Sequence, residues 1–308
     1  MARLLRVQRV DIHQHLWTSP LVDALARREC HPFVRHEGGL RMLHLAGEPP
    51  CVLDLEAESA QARGRLLDVD GVEVAAIAIS SPVGIEGLAP DQARELIAAH
   101  LDGVLALGDR FVAWGPVGVR APDPSEVDAV LARGCIGVSL PSAALADRDA
   151  LESIGPVLER VQELGAPLFV HPGGFAARAP SLSEPLWWAA LTSYVSGMQT
   201  AWLTFAAHGR RELPRLRILF AMLAGGAPML VERLRARGGP EIDLHDPLTF
   251  YDTSSYGAMV VEAMAGWVGP DRLVYGSDRP VIDPVTTGRE VELMTNAADF
   301  LISTRSAA

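Results

Sequence analysis

Short apolar runs alternate with amphipathic stretches along almost the whole chain. The runs at 7–13, 74–80, 111–117, 136–140, 168–171, 215–222, 248–252 and 272–276 are strand-like. Within 90–107, Leu96, Ile97, His100, Leu101 and Val104 recur at helical spacing. Comparable helical stretches fill 125–133, 151–164, 186–207, 228–237, 256–268 and 289–301. Pro82 and Pro141 stop strands, and Gly165 ends a helix. Nearly continuous apolar strands set between helices imply a parallel sheet with both faces covered. Eight such units predict an α/β fold, a single (β/α)8 TIM barrel spanning 1–308. Residues 16–71 break the rhythm between the first and second strands. Their middle holds Gly38-Gly39 and Pro49-Pro50 among short apolar runs. They predict a small insertion over the barrel mouth, where the loops after the strands build active sites.

Composition narrows the class further. The 308 residues are 49% hydrophobic and 21% charged, as expected of a globular protein with a large core. A formal net charge of -11 argues against nucleic acid as a partner. All 27 basic residues are Arg, which excludes both a Schiff-base lysine and a phosphate-loop lysine. Cys30, Cys51 and Cys135 are odd in number and widely spaced, so free thiols in a reducing compartment are expected. The segment 1–6 lacks the apolar core of a signal peptide, and no run approaches the ~20 apolar residues of a membrane span. A cytoplasmic location without membrane contact is the expectation.

The ends of three strands carry candidate chemistry. In Asp11-Ile12-His13-Gln14-His15 the two histidines share a face of an extended strand, because successive side chains alternate. His171 closes the run Leu168-Phe169-Val170 before Pro172-Gly173-Gly174, and Asp278 closes Val274-Tyr275-Gly276-Ser277 before Arg279-Pro280. A His-x-His pair by itself is common without a metal, and Asp before Arg-Pro can simply cap a turn. His-x-His, His and Asp at three strand ends together form a divalent-metal donor set.

These segments resemble the amidohydrolase superfamily, in the branch containing aminocarboxymuconate semialdehyde decarboxylase and related benzoate-type decarboxylases and hydrolases. Asp11 to His15 is similar to that branch's first-strand motif. Asp109-Arg110-Phe111-Val112 followed by Gly137-Val138 is similar to its third-to-fourth strand segment, and Leu168 to Pro172 and Val274 to Pro280 to its fifth- and eighth-strand motifs. The resemblance implies one divalent cation, usually zinc with Mn2+ as the alternative, held by His13, His15, His171 and Asp278. It also implies a dimer. The family places a proton-handling His in a His-x-Gly-Gly context after the sixth strand. Here that stretch reads Ala221-Met222-Leu223-Ala224-Gly225-Gly226, so Leu223, or Met222 after a one-residue shift, replaces the His.

The expectation is a metal-dependent hydrolase of a small lactone, ester or carboxylate-bearing substrate. Activated water would be its nucleophile and Asp278 its base. The alternatives are a decarboxylase of an aromatic or muconate-type acid, or a non-catalytic metal-binding relative. Arg41 and Arg279 are candidates to grip a substrate carboxylate, though an ion pair within the protein is the plainer role for both. Trp17 is a candidate pocket wall or ordinary packing. His31, His36 and His44 in the insertion are candidate replacement bases. His100, His208 and His245 are read as structural or solvated.

Overall fold

The computed structural model describes residues 8–46, 48–174, 185 and 187–302. Eight strands form one parallel sheet in the order β1 (Val10–Gln14), β5 (Val74–Ile77), β6 (Phe111–Pro116), β7 (Gly137–Pro141), β8 (Leu168–His171), β9 (Ile218–Phe220), β10 (Thr249–Asp252) and β11 (Leu273–Val274). The ends of the sheet meet. Ile12 donates its N–H to Tyr275 O at 2.9 Å, Asp278 to His13 O at 2.9 Å and His15 to Arg279 O at 2.7 Å. The sheet is therefore a (β/α)8 barrel, as the alternating pattern predicts. The expected start of the first strand at Val7, the start of a helix at Leu186 and the segment 1–6 lie outside the described residues.

All residues of β1, β5, β7, β8, β9, β10 and β11 are buried, which is why these runs read as continuous apolar stretches rather than alternating ones. The insertion supplies α1 (Ser19–Ala26), an antiparallel sheet of β2 (Phe33–Glu37), β3 (Leu40–His44) and β4 (Cys51–Val52), and α2 (Ala60–Asp70). Ser59 caps α2 by accepting from Ala62 N, and Gly71 ends it at φ 69°.

Helices α3 (Pro90–Leu105), α4 (Ser125–Ala132) and α5 (Arg148–Glu163) follow β5, β6 and β7. Helix α5 begins three residues earlier than its apolar spacing suggests, because the Asp147 carboxylate accepts from Ala150 N at 2.8 Å. The long helical stretch after β8 is broken into α6 (Trp187–Leu191), α7 (Ser193–Thr204), a π turn (Phe205–Gly209) and α8 (Arg210–Glu212). Helices α9 (Val231–Ala236), α10 (Ala258–Val268) and α11 (Glu290–Ile302) complete the ring. No helix among the described residues is long and apolar enough to cross a membrane.

The sixth strand is the largest departure from the apolar pattern. Residues 215–222 predict eight strand residues, and only Ile218–Phe220 pair. Met222, Leu223 and Ala224 turn into the left-handed region at φ 52°, 50° and 53°, and Gly225 and Gly226 continue it. Three consecutive non-glycine residues in that region are uncommon, since each brings Cβ against the following carbonyl.

Candidate metal centre

The barrel interior beneath the site is packed by aromatic rings. Trp114 donates its indole N–H to Ile12 O at 2.9 Å, and the Phe169 ring lies 5.2 Å from it. The His13 ring stands edge-on to Phe169 at 5.0 Å. Above this floor β1, β8 and the end of β11 bring four donors together. His15 Nε2 lies 3.1 Å from His13 Nε2, 3.1 Å from His171 Nε2 and 3.1 Å from Asp278 Oδ1. His13 Nε2 is 3.5 Å from the same carboxylate oxygen. All four donor atoms lie within 4.8 Å of one another.

The far side of each ring decides what the near side offers. His15 Nδ1 is 2.9 Å from Ala78 O and His171 Nδ1 is 2.8 Å from Pro172 O. Backbone carbonyls only accept, so both Nδ1 atoms carry the proton and both Nε2 atoms present a lone pair. His13 Nδ1 lies 2.8 Å from Asp252 Oδ2. With no proton among them, three imidazole nitrogens and a carboxylate facing one another repel unless a cation takes the proton's place. The donor set therefore fits a divalent ion, and the oxygen acceptors behind the rings are the usual means of orienting metal-binding histidines.

Electrostatics follow this arrangement. Burial works against a charged His13, but the carboxylates of Asp252, Asp278 and Asp11 outweigh it and push the ring up to about 9. Burial holds His171 well below its ordinary value, reinforced by the neighbouring His15 and His13. Burial alone would raise the Asp278 carboxyl; the closeness of His15 and His13 holds it below its ordinary value. Asp278 sits at φ 60°, in the left-handed region that a residue with a side chain seldom adopts.

A second layer escapes the sequence motifs. Gln14 points away from its neighbouring histidines. Its amide N–H bonds Asp11 Oδ2 at 2.7 Å and its oxygen accepts from Arg63 at 2.6 Å. Arg63 is fully buried in α2 and pairs with Glu58 at 3.3 Å. Glu58 in turn accepts from Trp17 N at 3.2 Å. Asp11 also accepts from Ser277 N and His13 N, each at 3.1 Å. This network fastens the insertion to the seam between β1 and β11. The Tyr194 hydroxyl of α7 donates to Glu48, between β3 and β4.

The other expected site residues lie elsewhere. Arg279 does not hold itself free for a substrate: its guanidinium grips Asp70 at 2.8 and 3.2 Å and reaches Asp283 at 3.1 Å. Arg41 stands exposed on β3, paired across the hairpin with His36. Trp17 is half-buried and packs against the core. His44 pairs with Glu37 at 2.9 Å and stacks on Phe33, and His31 and His36 are exposed, so no insertion histidine contacts the cluster. His100 is fully buried rather than solvated. Cavities of about 480 and 340 Å³ lie outside the cluster, one beside α2 and the other between α7 and α9.

A parallel barrel with a His3Asp cluster at the C-terminal ends of its strands defines a class of metal-centred barrel proteins. The amidohydrolase family model matches residues 10–301, and the chain belongs to that family. Membership of that family makes it an enzyme. Solved structures agree on the fold. IDCase of Metarhizium anisopliae is 20% identical with a TM-score of 0.73, covering 100% of this chain and 94% of that one. The 2,6-dihydroxybenzoate decarboxylase from Rhizobium is 16% identical with a TM-score of 0.66, covering 96% and 98%. A 5-carboxyvanillate decarboxylase of Novosphingobium aromaticivorans, solved as a D314N mutant with bound manganese and a nitrobenzoic acid, is 17% identical with a TM-score of 0.66, covering 96% and 93%. No curated protein matches the chain by sequence.

Proposed function

We propose that this protein is a divalent-metal-dependent decarboxylase of a small aromatic or muconate-type acid. The observation that carries the reading is the convergence of three Nε2 atoms and one carboxylate oxygen, each ring locked from behind. His13, His15, His171 and Asp278 would hold the ion, with Zn2+ and Mn2+ both suited to these donors. When bound, it supplies Lewis acidity toward a substrate oxygen. Decarboxylase names among the structural neighbours move the weight from hydrolysis, the first sequence expectation, to decarboxylation.

The chain's own residues supply the proton traffic. Asp278, held in its ionised form by His15 and His13, is a carboxylate at neutral pH and therefore a proton acceptor. It takes the proton of a substrate hydroxyl as the acid docks. The C–CO2 bond then breaks, its electron pair stays on the ring or chain carbon, and Asp278 returns the proton to that carbon as CO2 departs. The aromatic floor of Phe169 and Trp114 keeps water from the underside. Hydrolysis remains the second reading because Met222 and Leu223 cannot titrate, and Asp278 alone suffices to take a proton from water.

The test loads the chelator-stripped protein with Zn2+ or Mn2+ and offers hydroxybenzoates and muconate-type acids beside lactones and esters. Metal-dependent CO2 release is the expected result. Acid release from a lactone or ester without CO2 would establish the hydrolytic reading instead.

A further inference from the structure

We propose that Asp252 is the positioning residue of this centre: it fixes the His13 ring with Nε2 toward the other donors and ties that ring to the left-handed turn after β9. The inference rests on the reading of His13 as a metal ligand. Asp252 ends β10 and is completely buried. One carboxylate oxygen, Oδ2, accepts from His13 Nδ1 at 2.8 Å. The other, Oδ1, accepts from Met222 N at 3.1 Å, from Ser254 N at 2.9 Å and from the Ser254 hydroxyl. A single side chain thus joins the ends of β1, β9 and β10. The chain just after β11 makes room for it at Gly276, where a Cβ would stand 3.0 Å from both Asp252 Cγ and His13 Cβ.

The two oxygens are not equivalent, and that makes the role testable. Oδ1 faces three donors and Oδ2 faces one. In Asp252→Asn the amide oxygen takes the three-donor side, where it satisfies the most hydrogen bonds, and the amide NH2 faces His13. His13 Nδ1 must then accept rather than donate, so its proton moves to Nε2. That nitrogen loses the lone pair it offers to an ion. The volume of the side chain is unchanged. On the β9 side, the Met222 amide keeps its acceptor, so the turn stays in place while the ring is lost to the centre.

The experiment measures zinc affinity by competition with a chromophoric chelator in the wild type, Asp252→Asn and His13→Ala. It also reads the His13 tautomer by nitrogen-15 NMR of zinc-loaded wild-type protein. Asp252→Asn should weaken zinc about 10- to 100-fold, with an unchanged far-ultraviolet circular dichroism spectrum. Ser254→Ala, which removes only one donor from Oδ1, should stay within about threefold of wild type. The wild-type spectrum should show His13 protonated at Nδ1. Wild-type affinity in Asp252→Asn beside lost affinity in His13→Ala would overturn the positioning role and leave the centre standing. Full zinc binding in His13→Ala would instead bring down the ligand reading beneath it. If Asp252→Asn does not fold, the wild-type tautomer decides: a proton on Nε2 refutes the proposal.

Discussion

At the end of β9 Leu223 is fully buried and Met222 is half-buried, and neither side chain takes up or gives a proton. Asp278 is the titratable group left at the cluster with a carboxylate to spare for chemistry. In metal-loaded protein, Asp278→Asn should lower turnover about 10²- to 10⁴-fold, the usual cost of losing a general base. Metal content measured on the same sample separates loss of the base from loss of the ion, and full activity with full occupancy would rule out this proton path. Met222→His is the informative restoration. Leu223→His would instead bury an imidazole in the core at a cost of ~1–3 kcal/mol. His100 gives a pH test away from the reaction. Burial, with the charges of His15 and Arg133, lowers it to about 3, and both its nitrogens lack a hydrogen-bond partner among the described residues. The unfolded chain takes up its proton below pH ~6.5 while the folded chain does not. Stability should therefore fall as pH drops from 6.5 toward 3, by up to ~1.4 kcal/mol per pH unit from this residue. Urea titrations at pH 7 and pH 5 should show a smaller difference in His100→Leu than in wild type; equal differences would contradict it. His13 and His15 are legible in the sequence because they share one face of an extended strand, and His171 and Asp278 because each closes an apolar run before a turn. Asp252 closes Thr249-Phe250-Tyr251 in the same way, and that position was the available signal for it. Nothing local to Arg63 or Glu58 announces their roles, since their partners Gln14 and Trp17 are brought to them only by the folded insertion.

Elements close to the site are positioned by contacts that leave no slack. Helix α3 lies against Thr18 at the start of α1 through Gly103, where a Cβ would fall 1.9 Å from Thr18 Oγ1 and 2.4 Å from its Cβ. Two effects compete in Gly103→Ala. Helix propensity favours alanine by ~1 kcal/mol in a helix interior. Overpacking a filled contact costs ~1–3 kcal/mol, and here the clash involves the branched root of Thr18 rather than a mobile tip. The net expectation is destabilisation of up to ~2 kcal/mol, read as a lower urea midpoint; a rise in the midpoint would show that α3 moves away freely. Helical spacing alone marks α3 correctly but is silent on this approach, because a glycine that makes room looks the same in sequence as one that breaks a helix. The same gap explains the shortened sixth strand. The apolar pattern of 215–222 carries no sign that Met222 turns left-handed. The Met222 amide is bonded to Asp252, thirty positions further on.

Across the whole molecule the metal centre coincides with the seam of the barrel. The β1 end contributes His13 and His15, the segment after β11 contributes Asp278, and Asp278 N donates to His13 O at 2.9 Å between them. His171 adds a third strand from the opposite wall. An ion gripped there joins the first and last strands of the sheet, which also close through backbone bonds, the Gln14–Arg279 bridge and the Asp11–Ser277 contact. Because the unfolded chain cannot assemble donors so distant in sequence, binding acts almost wholly on the folded state. Free metal at ~100 times its Kd should then stabilise the protein by ~2.7 kcal/mol. At ~2–4 °C per kcal/mol for a chain of this order of size, the melting temperature should rise by ~5–10 °C on loading. Differential scanning calorimetry of chelator-treated and metal-loaded samples measures this directly. His13→Ala combined with His15→Ala should abolish the rise, since two donors are too few to hold the ion. A rise that survives in the double variant would place the stabilising ion somewhere other than the seam.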